Sequence, residues 1–516
     1  MASTVEKKGQ IHEEEAGTSD EGSFHDNTRL EQWIEKDGQQ VLVSWTKAEE
    51  AAIVRKADFI LLPVFCLMFT WMAIDRTNVS GVLTSTFLTD TGISKDQANV
   101  GVSLLWLGIV LLEIPANVIL HRIGPHYWIP CQVILWGLIE VMQHFVNSAG
   151  GWYAARLFLG LAESGFIPGS LYTLSRWYTQ DELARRTAIF FFGPSLSSSF
   201  GSLISAGALG LTGQGGLKGW QWIFIICGVC TMTAGVIAFC ILPESPHKTN
   251  RLFGGLIPWR GWLSDREADV YVARILKADP AKGNHSTMHI TWNDISSVVF
   301  DWRVWPYLIV CLSGLQSVGG LATWGAVIIE SLGFTNVDAN LLNAPAPIVA
   351  AFLGVALGWA ADRYKRFGPL MIGVAIWTLI GLIALFVGCP SSLPKVRVVA
   401  NCLEPPCWQP INVTWLSLSM KTPQKRAIAY AFYIGCSNLG GTYGSQVFRS
   451  SDAPLYRTAW TACISLGAVW LLVLIIQSTI NYVSDRRFVR RLRDHPELES
   501  EALYTDSRGQ KHRYYW

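Results

Sequence analysis

The chain has 516 residues, of which 50% are hydrophobic and only 16% are charged, and its formal net charge is +2. Soluble globular proteins carry about 25% charged residues, so this composition excludes an ordinary soluble domain and favours a chain embedded in lipid. A nucleic-acid-binding protein is excluded by the small net charge and by the lack of a basic stripe with interleaved aromatic residues.

No metal ion or cofactor is predicted. Most of the 11 cysteines lie inside apolar runs, where cysteine serves as a small hydrophobic residue. Cys402 and Cys407 are close together but lack the second pair, or the histidines, that a zinc site needs. We find neither a nucleophile elbow nor a cofactor-binding loop, so the sequence does not indicate an enzyme.

The N-terminal region, residues 1–54, is polar and acidic. It holds 12 Asp or Glu residues against 5 Lys or Arg residues and has no apolar core. Such a composition cannot bury enough apolar surface to fold, so we expect a disordered cytosolic tail.

Twelve apolar stretches follow, each long enough to cross a bilayer, for which about 20 residues suffice. They lie at about 57–83, 97–120, 127–147, 152–176, 187–211, 220–242, 304–329, 344–361, 368–389, 396–419, 427–449 and 458–482. The long polar stretch 243–303 divides them into two six-helix halves, 55–242 and 304–482, followed by a tail at 483–516. The predicted fold class is therefore an all-α membrane protein with twelve transmembrane helices.

Charge and repetition support this division. Lys and Arg residues concentrate on one side of the predicted spans, which places both termini, the central loop and the C-terminal tail in the cytosol. The sequence RIGP at 122–125 recurs as RFGP at 366–369, at the corresponding place in the second half. Two pseudo-symmetric halves with a site between them are typical of secondary transporters.

The first span carries an adjacent acid and base, Asp75 and Arg76, within AIDRTNVSG. If the helix continues to about Leu83, both charges lie inside the membrane, where a charge costs roughly 2.5–3.5 kcal/mol. Neighbours on a helix point about 100° apart and do not pair with each other, so each needs its own partner or a ligand. If the helix instead stops at Ile74, the two residues are interfacial and ordinary.

A second pair of intramembrane charges lies in RLFLGLAESGFIPG. Arg156 and Glu163 are seven residues apart, which puts them on one helix face about 10.5 Å apart along the axis. This spacing suits two charges lining one cavity, although a structural ion pair with another helix is the alternative. Two arginines offer forked donors for a carboxylate, and two carboxyl groups can take up protons.

Four other polar residues in the spans are weaker candidates: Glu113, Gln316, Glu404 and Asn438. Gln316 and Asn438 can bind a substrate or make polar contacts between helices. The sequence does not decide whether Glu113 and Glu404 have a function.

The combination of DRTN (75–78), EIPAN (113–117), RLFLGLAESGFIPG (156–169), GWAADRYKRFGP (358–369) and NLGGTYGSQVFRSSDAPLYRT (438–458) resembles the anion:cation symporter branch of the major facilitator superfamily. The likeness covers roughly residues 50–490 and is strongest to the fungal allantoate, nicotinate and pantothenate permeases. It implies that Asp75 and Glu163 couple protons and that Arg76 and Arg156 bind an anion. It also implies a gating motif formed by Gly358, Asp362, Arg363 and Arg366.

The expected activity is proton-coupled symport of a small organic anion such as a vitamin carboxylate, by a monomer in the plasma membrane. The partners are then the anion, protons and the lipid bilayer. Two alternatives stay open at this point: an exporter of an acidic specialised metabolite on the same fold, and a nutrient sensor that transports weakly. Import and export follow the gradients, which no motif records.

Overall fold

A computed structural model of the protein describes residues 29–36, 39–249, 251–252, 257–258, 261–278, 292–330, 333–364, 366–387, 408–420, 423–444, 446–452, 456–495, 504–505 and 511–512. Most of these residues are helical. In the first half, the helices are α1 (Lys47–Thr77), α2 (Val79–Leu83), α3 (Phe87–Thr91), α4 (Lys95–Ile123), α5 (Pro125–Met142), α6 (Ala149–Glu163), α7 (Phe166–Trp177), α8 (Gln180–Leu209) and α9 (Gly219–Ile241).

The central loop and the second half add a further set of helices. These are α10 (Asp265–Ala278), α11 (Trp292–Val299), α12 (Trp305–Glu330), α13 (Asn336–Asn343), α14 (Pro345–Tyr364), α15 (Phe367–Val387), α16 (Gln409–Leu418), α17 (Pro423–Gly444) and α18 (Arg457–Asp494). Three antiparallel two-stranded ribbons complete the described structure: β1 (Leu30–Lys36) with β2 (Gln39–Trp45), β3 (Arg251–Leu252) with β4 (Ile257–Pro258), and β5 (Tyr504–Thr505) with β6 (Lys511–His512).

The helices fall where the twelve spans are predicted. By length and composition alone, six helical stretches of the described residues can cross a membrane: Lys47–Leu83, Ile189–Leu209, Gly219–Ile241, Asn336–Ala361, Phe367–Val387 and Arg457–Asp494. The fourth predicted span is divided between α6 and α7. Only the second part of the tenth, as α16, lies in the described residues, and Glu404, Cys402 and Cys407 lie outside them.

Local geometry explains how two of these spans are built. Asn78, between α1 and α2, keeps helical angles (φ −59°, ψ −22°), so the first span continues past Asp75 and Arg76 to Leu83. Ser164 is extended, and Gly165, with φ +77°, is the N-cap residue that precedes α7. A side chain at Gly165 is disfavoured by that positive φ, and its Cβ would lie 2.8 Å from the Ala116 methyl group.

The two halves are joined by polar contacts at one end of the bundle, which we call the sealed end. Asn99 Nδ2 donates to the Phe448 carbonyl at 2.7 Å, Ser103 Oγ donates to the Thr442 carbonyl at 2.8 Å, and Asn340 Nδ2 donates to Thr84 Oγ1 at 3.0 Å. One hydrophobic cluster also runs through both halves here, including Val82, Trp152, Trp324 and Phe448. The first half and the second half therefore meet firmly at this end.

The opposite end of the first half is covered by a layer that we call the terminal plate, formed by the β1–β2 hairpin and α10. Lys36 Nζ pairs with Asp269 Oδ2 at 2.8 Å, which ties the hairpin to α10. Arg274 of α10 pairs with Glu182 at 3.0 Å, and its Nη2 donates to the Trp177 carbonyl at 3.2 Å. These contacts hold the terminal plate against the junction between α7 and α8.

The prediction of disorder for residues 1–54 is wrong for residues 30–36 and 39–54. This part of the tail forms β1, β2 and the start of α1, with Ile34 and Trp45 buried in the core of the first half. Composition indicated disorder because the segment alone has little apolar surface. Its apolar side chains share one hydrophobic cluster with those of α10, which lies more than 200 residues further along the chain.

We predict that Arg274→Ala lowers the apparent melting temperature of the purified protein by roughly 5 °C or more. Removing one partner of a buried ion pair costs about 3–5 kcal/mol, and Arg274 is only 1% exposed. Thermal unfolding in detergent measures the change. Arg266→Ala is the matched control on the same helix, because Arg266 is 72% exposed and its pair with Glu49 contributes little. Equal melting temperatures for the two variants would show that Arg274 does not stabilise the contact between the terminal plate and the rest of the first half.

Candidate functional site

Charged side chains from three helices of the first half converge inside the bundle. Asp75 and Arg76 come from the end of α1, Glu140 from α5, and Arg156 and Glu163 from α6. Four of them, all but Arg76, are almost completely buried. We refer to these five residues as the charged cluster.

Arg76 and Glu163 form the direct ion pair of the charged cluster. The Nε atom of Arg76 donates to Glu163 Oε2 at 2.6 Å, and the guanidinium lies over the Trp106 ring, 5.0 Å from its centroid. The Glu163 side chain is fully buried, whereas the Arg76 side chain is 13% exposed. Arg76 therefore keeps part of its forked donor edge accessible while its charge is compensated.

Arg156 has a different environment. Its guanidinium lies over the Trp152 ring at 4.5 Å, and the residue is 1% exposed. Among the described residues, none accepts a hydrogen bond from its Nε, Nη1 or Nη2 atoms. Buried donors without acceptors are costly, so a guanidinium held this way is suited to receive an anionic ligand.

Asp75 lies at the centre of the charged cluster and is 0% exposed. Its Oδ2 atom accepts a hydrogen bond from Thr231 of α9 at 2.9 Å, and its Oδ1 atom has no hydrogen-bond partner among the described residues. Asp75 and Arg76 thus point to different partners, as their adjacency on one helix predicted. Arg156 and Glu163 both lie in the charged cluster, and Glu163 also pairs with Arg76 of α1, which is the ion pair with another helix that the sequence left open.

Glu140 is the member that our sequence analysis missed. It is 0% exposed; its Oε1 atom accepts a hydrogen bond from Asn78 Nδ2 at 2.5 Å, and its Oε2 atom accepts one from Gln143 Nε2. The signal was present, because VILWGLIEVM places an acid within an apolar span. The rule that intramembrane charges are functional candidates applied to it as much as to Glu163.

The charged cluster has an excess of acids. It contains three carboxyl groups and two guanidinium groups, and Arg156 interacts electrostatically with all three carboxyl groups. An uncompensated charge in the interior costs several kcal/mol, so one of the acids is best satisfied by holding a proton. Asp75 and Glu163 each have one carboxylate oxygen without a hydrogen-bond partner among the described residues, whereas both oxygens of Glu140 accept hydrogen bonds.

Glu113 and Asn438 connect the charged cluster to the second half. Asn438 Nδ2 of α17 donates to Glu113 Oε2 of α4 at 3.2 Å, and Glu113 interacts electrostatically with Arg76. Asn438 therefore lies beside the cluster as well as between helices. Gln316 packs beside Gly440 and Gly444 of α17.

The predicted gating motif lies apart from the charged cluster, at the end of α14. Gly358 is in the last two turns of that helix, and Arg363 and Arg366 are exposed around the turn into α15. The Asp362 side chain lies outside the described residues. The role of this motif stays a prediction.

A family profile for the Major Facilitator Superfamily matches residues 64–445, which is most of the chain. The chain belongs to the major facilitator superfamily. Members of this superfamily transport small molecules across membranes, which confirms the prediction of a multi-pass membrane transporter and not an enzyme.

Individual relatives agree with the family assignment. The "MFS-type transporter cnsO" of Penicillium expansum is 29% identical over 468 residues, covering 89% of this chain and 88% of that protein. A "putative tartrate transporter" of Agrobacterium vitis is 29% identical over 405 residues, covering 77% of this chain and 88% of that protein.

Solved structures confirm the fold class, twelve membrane helices in two halves. A bacterial homologue of the human lysosomal transporter Spinster, in an inward-facing and unoccupied conformation, aligns with a TM-score of 0.59 at 16% identity, over 84% of this chain and 96% of that chain. A D-xylose-proton symporter aligns with a TM-score of 0.59 at 13% identity, over 81% and 97%. At these identities the likeness concerns the fold alone.

The two halves of the transporter approach closely at Trp106. A Cβ atom added to Gly441 of α17 would overlap the Trp106 indole, whereas one added to Gly435 on the same helix would meet nothing within 4 Å. Only a glycine at 441 allows α17 to lie against the ring that stacks on Arg76.

We predict that Gly441→Ala destabilises the transporter by about 1–3 kcal/mol, the usual cost of overpacking. Melting temperature and tryptophan fluorescence of the purified protein measure the change, since Trp106 has to move. Gly435→Ala is the control and is expected to leave both unchanged, or to raise the melting temperature slightly because alanine favours helices. The prediction fails if the two alanine variants behave alike.

Proposed function

We propose that this transporter carries a small organic anion across the membrane in symport with protons. The main support is Arg156, a buried guanidinium whose donors have no acceptor among the described residues and which lies in a cluster with titratable acids. Arginine binds carboxylates through two parallel hydrogen bonds, so the natural ligand of such a group is a carboxylate.

The charged cluster supplies both functions that symport requires. Arg156 and the accessible edge of Arg76 attract the anion, and Asp75 and Glu163 take up protons. When an acid is protonated, the cluster becomes more positive and its affinity for an anion rises, which is thermodynamic linkage between the two ligands. Moving a net charge across the membrane is worth about 2.3 kcal/mol per 100 mV, so the membrane potential also acts on the cycle.

Two further observations support an anionic substrate. The motifs around Asp75 and Arg156 resemble those of the anion:cation symporter branch, and one of the relatives is named a putative tartrate transporter, tartrate being a dicarboxylate. We assign substrate contacts to Arg76, Arg156 and Asn438, with Gln316 reached from the second half when the halves move.

The proposed orientation follows from the distribution of Lys and Arg. Both termini and the terminal plate face the cytosol of a monomer in the plasma membrane, and the sealed end faces outward. In this orientation the contacts of Asn99 and Asn340 close the outer side. Alternating access then requires these contacts to open while the opposite end closes, and the motif at Gly358, Asp362, Arg363 and Arg366 is our candidate for the inner gate.

Uptake into proteoliposomes tests the function. We would impose an acid-outside gradient and supply labelled nicotinate, pantothenate, allantoate, biotin and tartrate in turn. Gradient-dependent accumulation of one of these anions is the expected result. Accumulation of none of them by well-reconstituted protein would contradict the proposal and favour an exporter or a sensor.

We predict that Arg156→Ala reduces uptake of the accumulated anion by about 100-fold or more, because truncating one partner of a buried charge pair costs 2–5 kcal/mol or more. Arg156→Lys keeps the charge but loses the fork, and we expect it to recover only part of the uptake. Arg55→Ala removes an exposed arginine of α1 and serves as the control with unchanged uptake. Full uptake by Arg156→Ala would remove Arg156 from the substrate site.

We predict that Asp75→Asn abolishes accumulation driven by the pH gradient but retains exchange of labelled for unlabelled anion. An asparagine can still accept the hydrogen bond from Thr231 but cannot carry a proton. Counterflow and gradient-driven uptake, measured on the same vesicles between pH 5 and 8, separate the two activities. Glu163→Gln is compared alongside; a wild-type pH response in both variants would contradict the assignment of the proton sites.

A further inference from the structure

Glu140 is a fully buried acid to which the proposed transport cycle assigns no role. Glu140 lies on α5, whereas the charges that the sequence singled out lie on α1 and α6. It nevertheless belongs to the same charged cluster. A carboxyl group in this position has to be neutralised or protonated, because an isolated buried charge is too costly.

Two amides hold the Glu140 carboxyl group. Asn78, at the junction of α1 and α2, donates to one oxygen at 2.5 Å, and Gln143, in the turn that follows α5, donates to the other. Both oxygens are therefore engaged by neutral donors. The guanidinium of Arg156 makes no hydrogen bond to Glu140, although the two groups attract each other electrostatically.

Glu140 thus interacts with Arg156 through charge alone, and its hydrogen bonds go to other residues. Glu140 can therefore compensate the positive charge of Arg156 through space, while its own two oxygens accept hydrogen bonds from amides and not from the guanidinium. Other charged or titratable groups that face Glu140 are Asp75 of α1, Glu163 of α6 and Cys227 of α9. None of these acids is held by two amides: Asp75 and Glu163 each leave one oxygen without a partner among the described residues.

We propose that Glu140 makes the anion affinity of Arg156 depend on pH, an inference that rests on the proposed symport. When Glu140 is ionised, it neutralises Arg156 and the donors attract an anion only weakly. When Glu140 takes up a proton, Arg156 is left as a positive charge with free donors, and the anion binds. By linkage, the bound anion favours the proton on Glu140 by the same factor.

Anion binding between pH 5 and 8 tests this role. The purified transporter is titrated with each of the five panel anions, nicotinate, pantothenate, allantoate, biotin and tartrate, and the slope of log Kd against pH counts the protons linked to binding. For Glu140→Gln we expect the slope to fall by one proton, so that over one pH unit above the midpoint the wild-type protein loses about tenfold more affinity than the variant.

Controls separate a coupling role from a structural one. Glu330→Gln makes the same chemical change at a half-buried acid that ends α12 and interacts with Lys95, and it is expected to keep the wild-type slope. Glu140→Asp keeps a titratable group and is expected to restore the slope that Glu140→Gln loses. A wild-type slope in Glu140→Gln would overturn the role of Glu140 while leaving the anion transporter intact.

The proposed function and the role of Glu140 fail in distinguishable ways. If none of the five anions binds the wild-type protein at any pH, both are overturned together. If Glu140→Gln does not yield folded protein, Gln143→Leu is measured instead, since it removes one amide from the carboxylate. Losing a donor to the charged form favours protonation, so anion binding should persist to higher pH; an unchanged midpoint would overturn the proposal.

Discussion

The ion pair between Arg76 and Glu163 is the contact on which the interior of this transporter depends. It joins α1 to α6 at 2.6 Å in a region where an unpaired charge is costly to bury. Once Arg76 is fixed there, its guanidinium stacks on Trp106, and Trp106 in turn requires a glycine at 441 of α17. The charge pair is thus connected, through Trp106, to one of the places where the two halves approach closely.

The rest of the charged cluster is arranged around that pair with an excess of acid. Arg156 stacks on Trp152, and Asp75, Glu140 and Glu163 all attract it without donating or accepting a direct hydrogen bond. A buried network that is only partly satisfied is expensive, and its persistence is understandable if a ligand and protons complete it during the cycle. Stability and function therefore make opposite demands on the same few residues.

The two ends of the bundle differ in the kind of contact that they use. The sealed end combines apolar packing with single hydrogen bonds between the halves, such as that of Asn99 to the Phe448 carbonyl. Ion pairs instead join parts of the first half to one another, through Arg274 of the terminal plate with Glu182 and, outside the plate, through Arg186 of α8 with Asp58 of α1. Ion pairs thus tie the elements of the first half to one another, whereas the junction between the halves at the sealed end consists of apolar packing and hydrogen bonds.

Much of the fold could be predicted because membrane insertion imposes it locally. Twenty apolar residues in a row identify a span without reference to the rest of the chain, and adjacent charges such as Asp75 and Arg76 are conspicuous against that background. The prediction of disorder failed for a segment that folds against a distant part of the chain. The hairpin at 30–45 looked too polar to fold because its partner, α10, lies more than 200 residues further along the chain.

Taken alone, the sequence predicted the spans and their division into two halves, and it singled out Asp75, Arg76, Arg156 and Glu163 as charges in or beside those spans, since each follows from hydropathy and helical periodicity over short stretches. The structure decided that the first helix continues past Asp75 and Arg76. Tertiary structure alone decided which charges pair. Arg76 pairs with Glu163, and the donors of Arg156 have no acceptor among the described residues. Glu140 also lies in the charged cluster, where Asn78 and Gln143 donate to it. The physical reason is that pairing depends on distances between helices, and helical periodicity fixes only the direction in which a side chain leaves its own helix.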